Sequence, residues 1–217
     1  KKVEESQRQP RGKISRRMSK KLLGGLLFFL TMTAQAAPDA LLIVPGSGVG
    51  PFRAGMTRAE LQKLLKPEEL GEAEDGGGAA VAAYFLDADK RLSLRLSQKG
   101  QVAAMVLHGE RSQWHTASGI TLGTPLSLLA KRNGKPIRLH GFDASARAGE
   151  LLDWGGGGLA KELTRVKLTF ASPFRAPGYA RLSAAQKLEL EKPRDFLSTD
   201  PEMRQLDPIV ETIELSF

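Results

Sequence analysis

The chain has 217 residues, a formal charge of +8 and no cysteine, which excludes disulfides, thiolate metal sites and a lipid-bearing cysteine behind a leader. Nine of the 32 basic and two of the 24 acidic residues lie in the first 36 positions. The remaining 23 basic and 22 acidic residues are interspersed, which excludes a sustained phosphate-tracking surface and with it a nucleic-acid partner.

Residues 1–17 are polar and basic and precede the first methionine. Either translation begins at Met18, or the stretch extends a leader in which Ser15-Arg16-Arg17 partly matches a twin-arginine export signal. Ser19 and Lys20 stand where that signal prefers an aromatic and an apolar residue. From Met18 the order is basic (Lys20, Lys21), apolar (Leu22 to Met32), then the small-x-small site Ala34-Gln35-Ala36 ahead of Ala37-Pro38. That order predicts a secretory signal peptide over 18–36. The apolar run is shorter than the ~20 residues a membrane-spanning helix needs, so no transmembrane segment is expected after leader removal. The expected compartment is the periplasm, with full secretion as the alternative. The roughly 180 residues that follow suffice for one substantial core.

Two stretches, Gly50 to Leu61 and Ser118 to Leu129, follow one plan: Phe52 aligns on Ile120, Gly55 on Gly123 and Leu61 on Leu129. In each, an apolar residue anchors an extended segment, a glycine permits the turn and a helix follows. Thr57 with Glu60 makes a T-x-x-E capping box. In the second copy Thr124 is the expected cap and Pro125 the first helical residue, where its missing N–H costs nothing. Leu61, Leu64 and Leu65 form an i, i+3, i+4 stripe. Lys66-Pro67 and Asn133-Gly134 end the helices.

An acidic, glycine-rich loop over 71–78 leads to predicted strands over 80–86, 91–96 and 102–108. Leu92, Leu94 and Leu96 alternate with Ser93 and Arg95, as in a sheet with one wet face. After the second helix, 136–142, 150–154 and 164–170 repeat the theme. Residues 172–195, rich in Pro, Arg and Ala, are the least assignable part. A short helix capped by Ser198 or Thr199 runs to Leu206, and 209–217 closes as a strand. The fold class is α+β, an antiparallel sheet with a few short helices packed on it. It is organised as two degenerate αβ repeats, 37–112 and 113–217, the second with a C-terminal extension, together one compact unit.

The pattern [apolar]-x-x-G-[M/T]-[T/P]-x-x-x-L, then a short helix and a β-meander, resembles the repeat unit of β-lactamase-inhibitor-protein-like domains. That group is similar in its αβ unit to the small lipoprotein of the outer-membrane β-barrel assembly machinery, whose members carry a cysteine absent here. Asn133-Gly134-Lys135-Pro136 through Gly141-Phe142, with Asp153-Trp154 and the following glycines, also resembles uncharacterised exported bacterial proteins. The resemblance implies a scaffold for protein contacts, with no catalytic residues to carry over.

Chemistry has few footholds. Gly46-Ser47-Gly48-Val49-Gly50 follows an apolar run, but a dinucleotide loop needs a helix opening directly from the glycines. Here Pro51 intervenes and the helix waits until Thr57. Asp153-Trp154-Gly155-Gly156-Gly157-Gly158 reads either as a ligand loop with Trp154 stacking on a partner or as a hairpin end with Trp154 packed on the sheet. His108, His115 and His140 lack zinc-site spacing, and His140 near Asp143 has no nucleophile elbow to serve. Asp87 and Asp89 favour a turn and are at best a weak calcium pair. No metal and no cofactor is expected. The expected role is a non-catalytic interaction module that meets another envelope protein through its sheet face or through Asp153, Trp154, Gly155 and Gly156. The alternatives are a periplasmic hydrolase using His140 with Asp143 or Glu150, and a small-ligand carrier.

Overall fold

In the computed structural model the described residues are 39–66, 71–74, 80–84, 92–109 and 112–217, with 71–74 and 80–84 described by their backbone. The predicted leader with Ala34, Ala36 and Ala37, and the Asp87/Asp89 turn, lie outside them. Three short strands, β1 (Leu42–Val44), β2 (Gly48–Val49) and β3 (Phe52–Arg53), come first, so the glycines of 46–50 serve tight turns. Then follow α1 (Arg58–Leu61), β4 (Gly71–Glu74), β5 (Ala80–Tyr84), β6 (Leu92–Leu96), β7 (Val102–Leu107) and β8 (His115–Thr116). Next come α2 (Leu126–Asn133), β9 (Arg138–His140), β10 (Leu151–Asp153), α3 (Leu159–Glu162) and β11 (Val166–Phe170). Two 3-10 turns (Pro173–Arg175 and Tyr179–Arg181), α4 (Ala184–Leu190), β12 (Asp195–Leu197), α5 (Pro201–Leu206) and β13 (Val210–Ser216) complete the order.

The main sheet runs β11-β13-β7-β6-β5-β4, with every pair antiparallel. A second sheet, β3-β2-β1-β8, is antiparallel except for the parallel β1–β8 pair, and a third runs β10-β9-β12 antiparallel. This is an α+β fold. Strand alternation places the core: Leu92, Leu94, Met105, Leu107, Leu168, Phe170, Ile213 and Leu215 are buried on one face of the main sheet. Leu61 of α1, Leu129 of α2 and Met203 and Leu206 of α5 join the same cluster. Each such side chain contributes about 1.5–3 kcal/mol relative to exposure.

The backbone treats the two turn–helix units alike. Gly55 N–H donates to Val102 C=O (2.9 Å) and Val102 N–H to Met56 C=O (2.9 Å). Gly123 N–H donates to Val210 C=O (2.7 Å) and Val210 N–H to Thr124 C=O (2.9 Å). Thr57 bridges Gln101 as Pro125 bridges Ile209. A register shift falls just before Leu96↔Val102 in one half and just before Phe170↔Val210 in the other. The strands so engaged, β7 and β13, lie side by side with Val106 opposite Glu214. Gly55, Gly123 and Gly134 all have positive φ (74°, 82° and 70°), the region their turns require.

Several expectations need correction. Residues 71–74, read as loop, pair as edge strand β4, because ladder hydrogen bonds override the weak strand propensity of Gly and Glu. Thr124 does not cap α2: its hydroxyl accepts from Thr121 N–H (2.9 Å). Pro125 is the N-cap residue rather than the first helical one, and it makes no side-chain cap bond. The oxygens come instead from Asp207, whose carboxylate takes Ser127 N–H (2.8 Å) and Ser127 Oγ–H (2.9 Å). Neither Ser198 nor Thr199 caps α5. Its N-cap is Asp200, and the Ser198 hydroxyl accepts from Ile137 N–H (3.0 Å).

Candidate functional site

The face of the main sheet opposite the core is the broadest candidate surface. Register puts Lys167 and Thr169 of β11, Thr212 and Glu214 of β13, Ala104 and Val106 of β7, and Ser93 and Arg95 of β6 on that face. All but Ala104 are half-buried or exposed. Because Ala104 is small, Arg95 reaches diagonally across β7 to Glu214, Nη1 to Oε1 2.7 Å. At its β11 margin Lys167 meets Glu150 (3.3 Å), which Arg147 also meets (3.3 Å). The result is a low, mixed-charge surface of small and β-branched side chains, with pairs that solvent screens.

Sequence reading missed one contact on this face: Ser93 Oγ lies 2.9 Å from His108 Nε2. The two residues are 15 apart, but the β6–β7 hairpin brings them together, and the signal was their placement on the wet side of paired strands. A hydroxyl beside an imidazole is one part of a nucleophilic site. An oxyanion hole would need free backbone N–H groups beside it. Ser93 instead sits in regular ladders between Ala83 and Val106.

The Asp153–Gly158 stretch packs against the C-terminus of α2. Trp154 is half-buried against the core. Gly155 N–H bonds Asp153 Oδ1 (2.9 Å), closing an Asx turn. The organiser is Asn133, buried at the end of α2. Its Nδ2 donates to Lys135 C=O (3.0 Å) and Trp154 C=O (2.6 Å), and its Oδ1 accepts from Leu159 N–H (3.2 Å). A Cβ on Gly157 would overlap the Asn133 side chain. Gly157 therefore allows close approach of backbone to Asn133, a Cβ on Gly155 would overlap Pro136 C=O, and Gly156 is exposed with open space where a Cβ would stand.

His140, at the end of β9, is bracketed by carboxylates. Nδ1 lies 3.2 Å from Asp195 Oδ1 and Nε2 3.5 Å from Asp143 Oδ1. Ser145 Oγ–H donates to Asp143 Oδ1 (2.6 Å), and that bond is the first reason the Asp143 carboxyl sits below its usual range, with Ser145 N–H and His140 adding to it. The hydroxyl thus addresses the acid, and both imidazole nitrogens face carboxylates. A general base needs a nitrogen directed at the proton it abstracts, so the Ser145/His140/Asp143 order is wrong for hydroxyl activation. Glu150 contributes its backbone, His140 N–H to Glu150 C=O 2.8 Å.

Among the described residues no cluster of three His, Asp or Glu side chains is placed to hold a metal ion, and no helix is long and apolar enough to cross a membrane. Compared with known proteins, the chain matches no family model, no curated protein and no solved structure.

Proposed function

We propose that this is an exported, non-catalytic interaction module that meets another envelope protein through the open face of its main sheet. One observation carries the reading. Across β11, β13, β7 and β6 one face is core, while the other offers a run of small, mixed-charge side chains to solvent. An open sheet face of this kind suits complementarity to a protein partner, with polar and charged pairs fixing register. The matched hydrogen bonds of the two turn–helix units and the matched register shifts support two degenerate copies of one αβ unit. They also favour the resemblance to β-lactamase-inhibitor-protein-like domains. Export rests on the basic–apolar–small order of residues 18–36. Between the two contact regions expected from sequence, the sheet is preferred, because the Trp154 loop already spends its polar groups on Asn133.

The test is site-specific photocrosslinking in the periplasm, with the probe at Val106 or Thr212 on the face and at the exposed Lys63, in the turn after α1, as control. One envelope protein crosslinked from the face and lost in Thr212→Arg supports the module. Crosslinks that ignore probe position, or that persist in Thr212→Arg and vanish in Trp154→Ala, refute the sheet face. Intact mass after expression with the native N-terminus checks export, which predicts a chain beginning near Ala37.

A further inference from the structure

We propose that the excursion between β11 and β12 is a second docking element, which sets Phe174 into the surface of an anionic lipid bilayer. Where the first unit passes from β6 to β7 through residues 97–101, the second inserts the 3-10 turns and α4 before β12, α5 and β13. The most exposed large apolar side chains of the described chain, Phe174 (69%) and Leu188 (64%), both lie in this insertion. The Phe174 ring meets that of Tyr179 at a tilt of 55°, centroids 4.7 Å apart. Lys187 Nζ sits 4.6 Å from the Tyr179 centroid on the same cluster, and Leu188 follows it on α4.

Charge names the occupant. Between Pro173 and Arg194 there are five basic residues (Arg175, Arg181, Lys187, Lys192, Arg194) and two acidic ones (Glu189, Glu191). The rest of the chain after position 36 holds 18 basic against 20 acidic residues. Glu189 takes up Lys192 and Arg194, and Glu211 takes up Arg175. Among the described residues neither Lys187 nor Arg181 meets a carboxylate; Arg181 reaches only Gln205 C=O. Protruding aromatic and aliphatic side chains flanked by uncompensated cations match a bilayer interface, where apolar tips enter the acyl boundary and cations stay with anionic headgroups. A protein partner would need a prebuilt pocket for so prominent a ring, whereas a bilayer accepts it as it stands. The mixed-charge sheet face lacks this one-sign bias, so the two surfaces serve different partners.

Cosedimentation of the full chain with vesicles tests the assignment, comparing phosphatidylcholine alone with equal parts phosphatidylcholine and phosphatidylglycerol. Any contribution of the apolar leader is common to wild type and variants, so the differences carry the result. The expected outcome is stronger partition onto the anionic vesicles, weakened by salt, with Phe174→Ala/Leu188→Ala lowering it about tenfold. Lys187→Glu should remove part of the preference for anionic vesicles while leaving the apolar contribution. Both apolar side chains are solvent-facing, and unchanged thermal melts would verify that the variants fold. Equal partition of wild type and the double variant overturns the proposal, as does equal partition onto both vesicles. Binding to soluble polyglutamate with none to vesicles also overturns it, in favour of an acidic protein segment.

Discussion

The N-termini of α1 and α2 solve one problem with different resources. In α1 the cap is local: Thr57 Oγ1 accepts from Glu60 N–H, and Glu60 Oε2 accepts from Thr57 N–H at 2.7 Å. In α2 the cap comes from Asp207, 80 positions along the chain and in a left-handed conformation (φ 49°) between α5 and β13. The far ends differ in the same sense. Leu65 follows α1 and is buried by apolar contact, while the position aligned with it, Asn133, is buried and makes three side-chain hydrogen bonds to backbone, two of them to the distant Trp154 and Leu159. The first helix is thus specified mostly by its own neighbours in sequence. The second is specified by tertiary structure and transmits damage to it.

The largest break in this comparison is expected at Asn133. Asn133→Ala leaves Leu159 N–H and the Lys135 carbonyl without their side-chain partner and the Trp154 carbonyl with Gly157 N–H alone, and should cost about 3 kcal/mol, read as a lower urea midpoint. Amide exchange of Gly157 and Leu159 should accelerate with it. Leu65→Ala, the aligned change, should cost about 2 kcal/mol as a cavity and leave those amides unaffected. Equal responses of 157–159 in both variants would abolish the asymmetry. Next in size is Asp207→Ala, about 1.5 kcal/mol through the lost cap, with exchange rising in both α2 and the start of β13. Asp207→Asn keeps an acceptor oxygen and tolerance of the left-handed region, and should recover most of the loss. Thr57→Ala should cost about 1 kcal/mol, with faster exchange confined to α1. Spread of that effect to β13 would show that the first cap is no more local than the second.

The same contrast explains what was readable in the sequence. The capping box of α1, the alternation of β6 and the turn glycines are encoded within a few residues, and each has a local cause. Thr124 is the local cap candidate of α2, but the carboxylate that accepts there, Asp207, lies outside any local window. The α4 helix was missed although Ser183-Ala184-Ala185-Gln186 spells a capping box that the structure forms; the surrounding Pro and Arg obscured it. Asp153–Gly158 is legible as a turn, but the partner that makes Gly157 necessary, Asn133, reads from sequence as a helix terminator and nothing more. Of the open face, Ser93 and Arg95 were readable from alternation. Their meeting with His108 and Glu214 depends on β6–β7–β13 order, which no short pattern contains.

The smallest expected effect sharpens the comparison through pH. The Glu60 carboxyl is held below its ordinary value of 4.5, first by the hydrogen bond from Thr57 N–H and then by that from the Thr57 hydroxyl, with Lys63 assisting. A carboxyl whose native value is depressed stabilises the fold fully above its unfolded value, and the contribution is lost as pH falls through the native one. Acidification from about pH 7 to about pH 3 should therefore open the α1 box from its Glu60 side. The expected readout is a shifted Thr57 amide resonance and faster exchange in 58–61, while Thr57 Oγ1 still accepts from Glu60 N–H. Glu60→Gln retains an acceptor but cannot titrate, so its α1 amides should lose the acid response and keep most of the cap. If wild type and Glu60→Gln respond alike, the reciprocal half of the box contributes nothing at neutral pH, and the local character of the first helix rests on Thr57 alone.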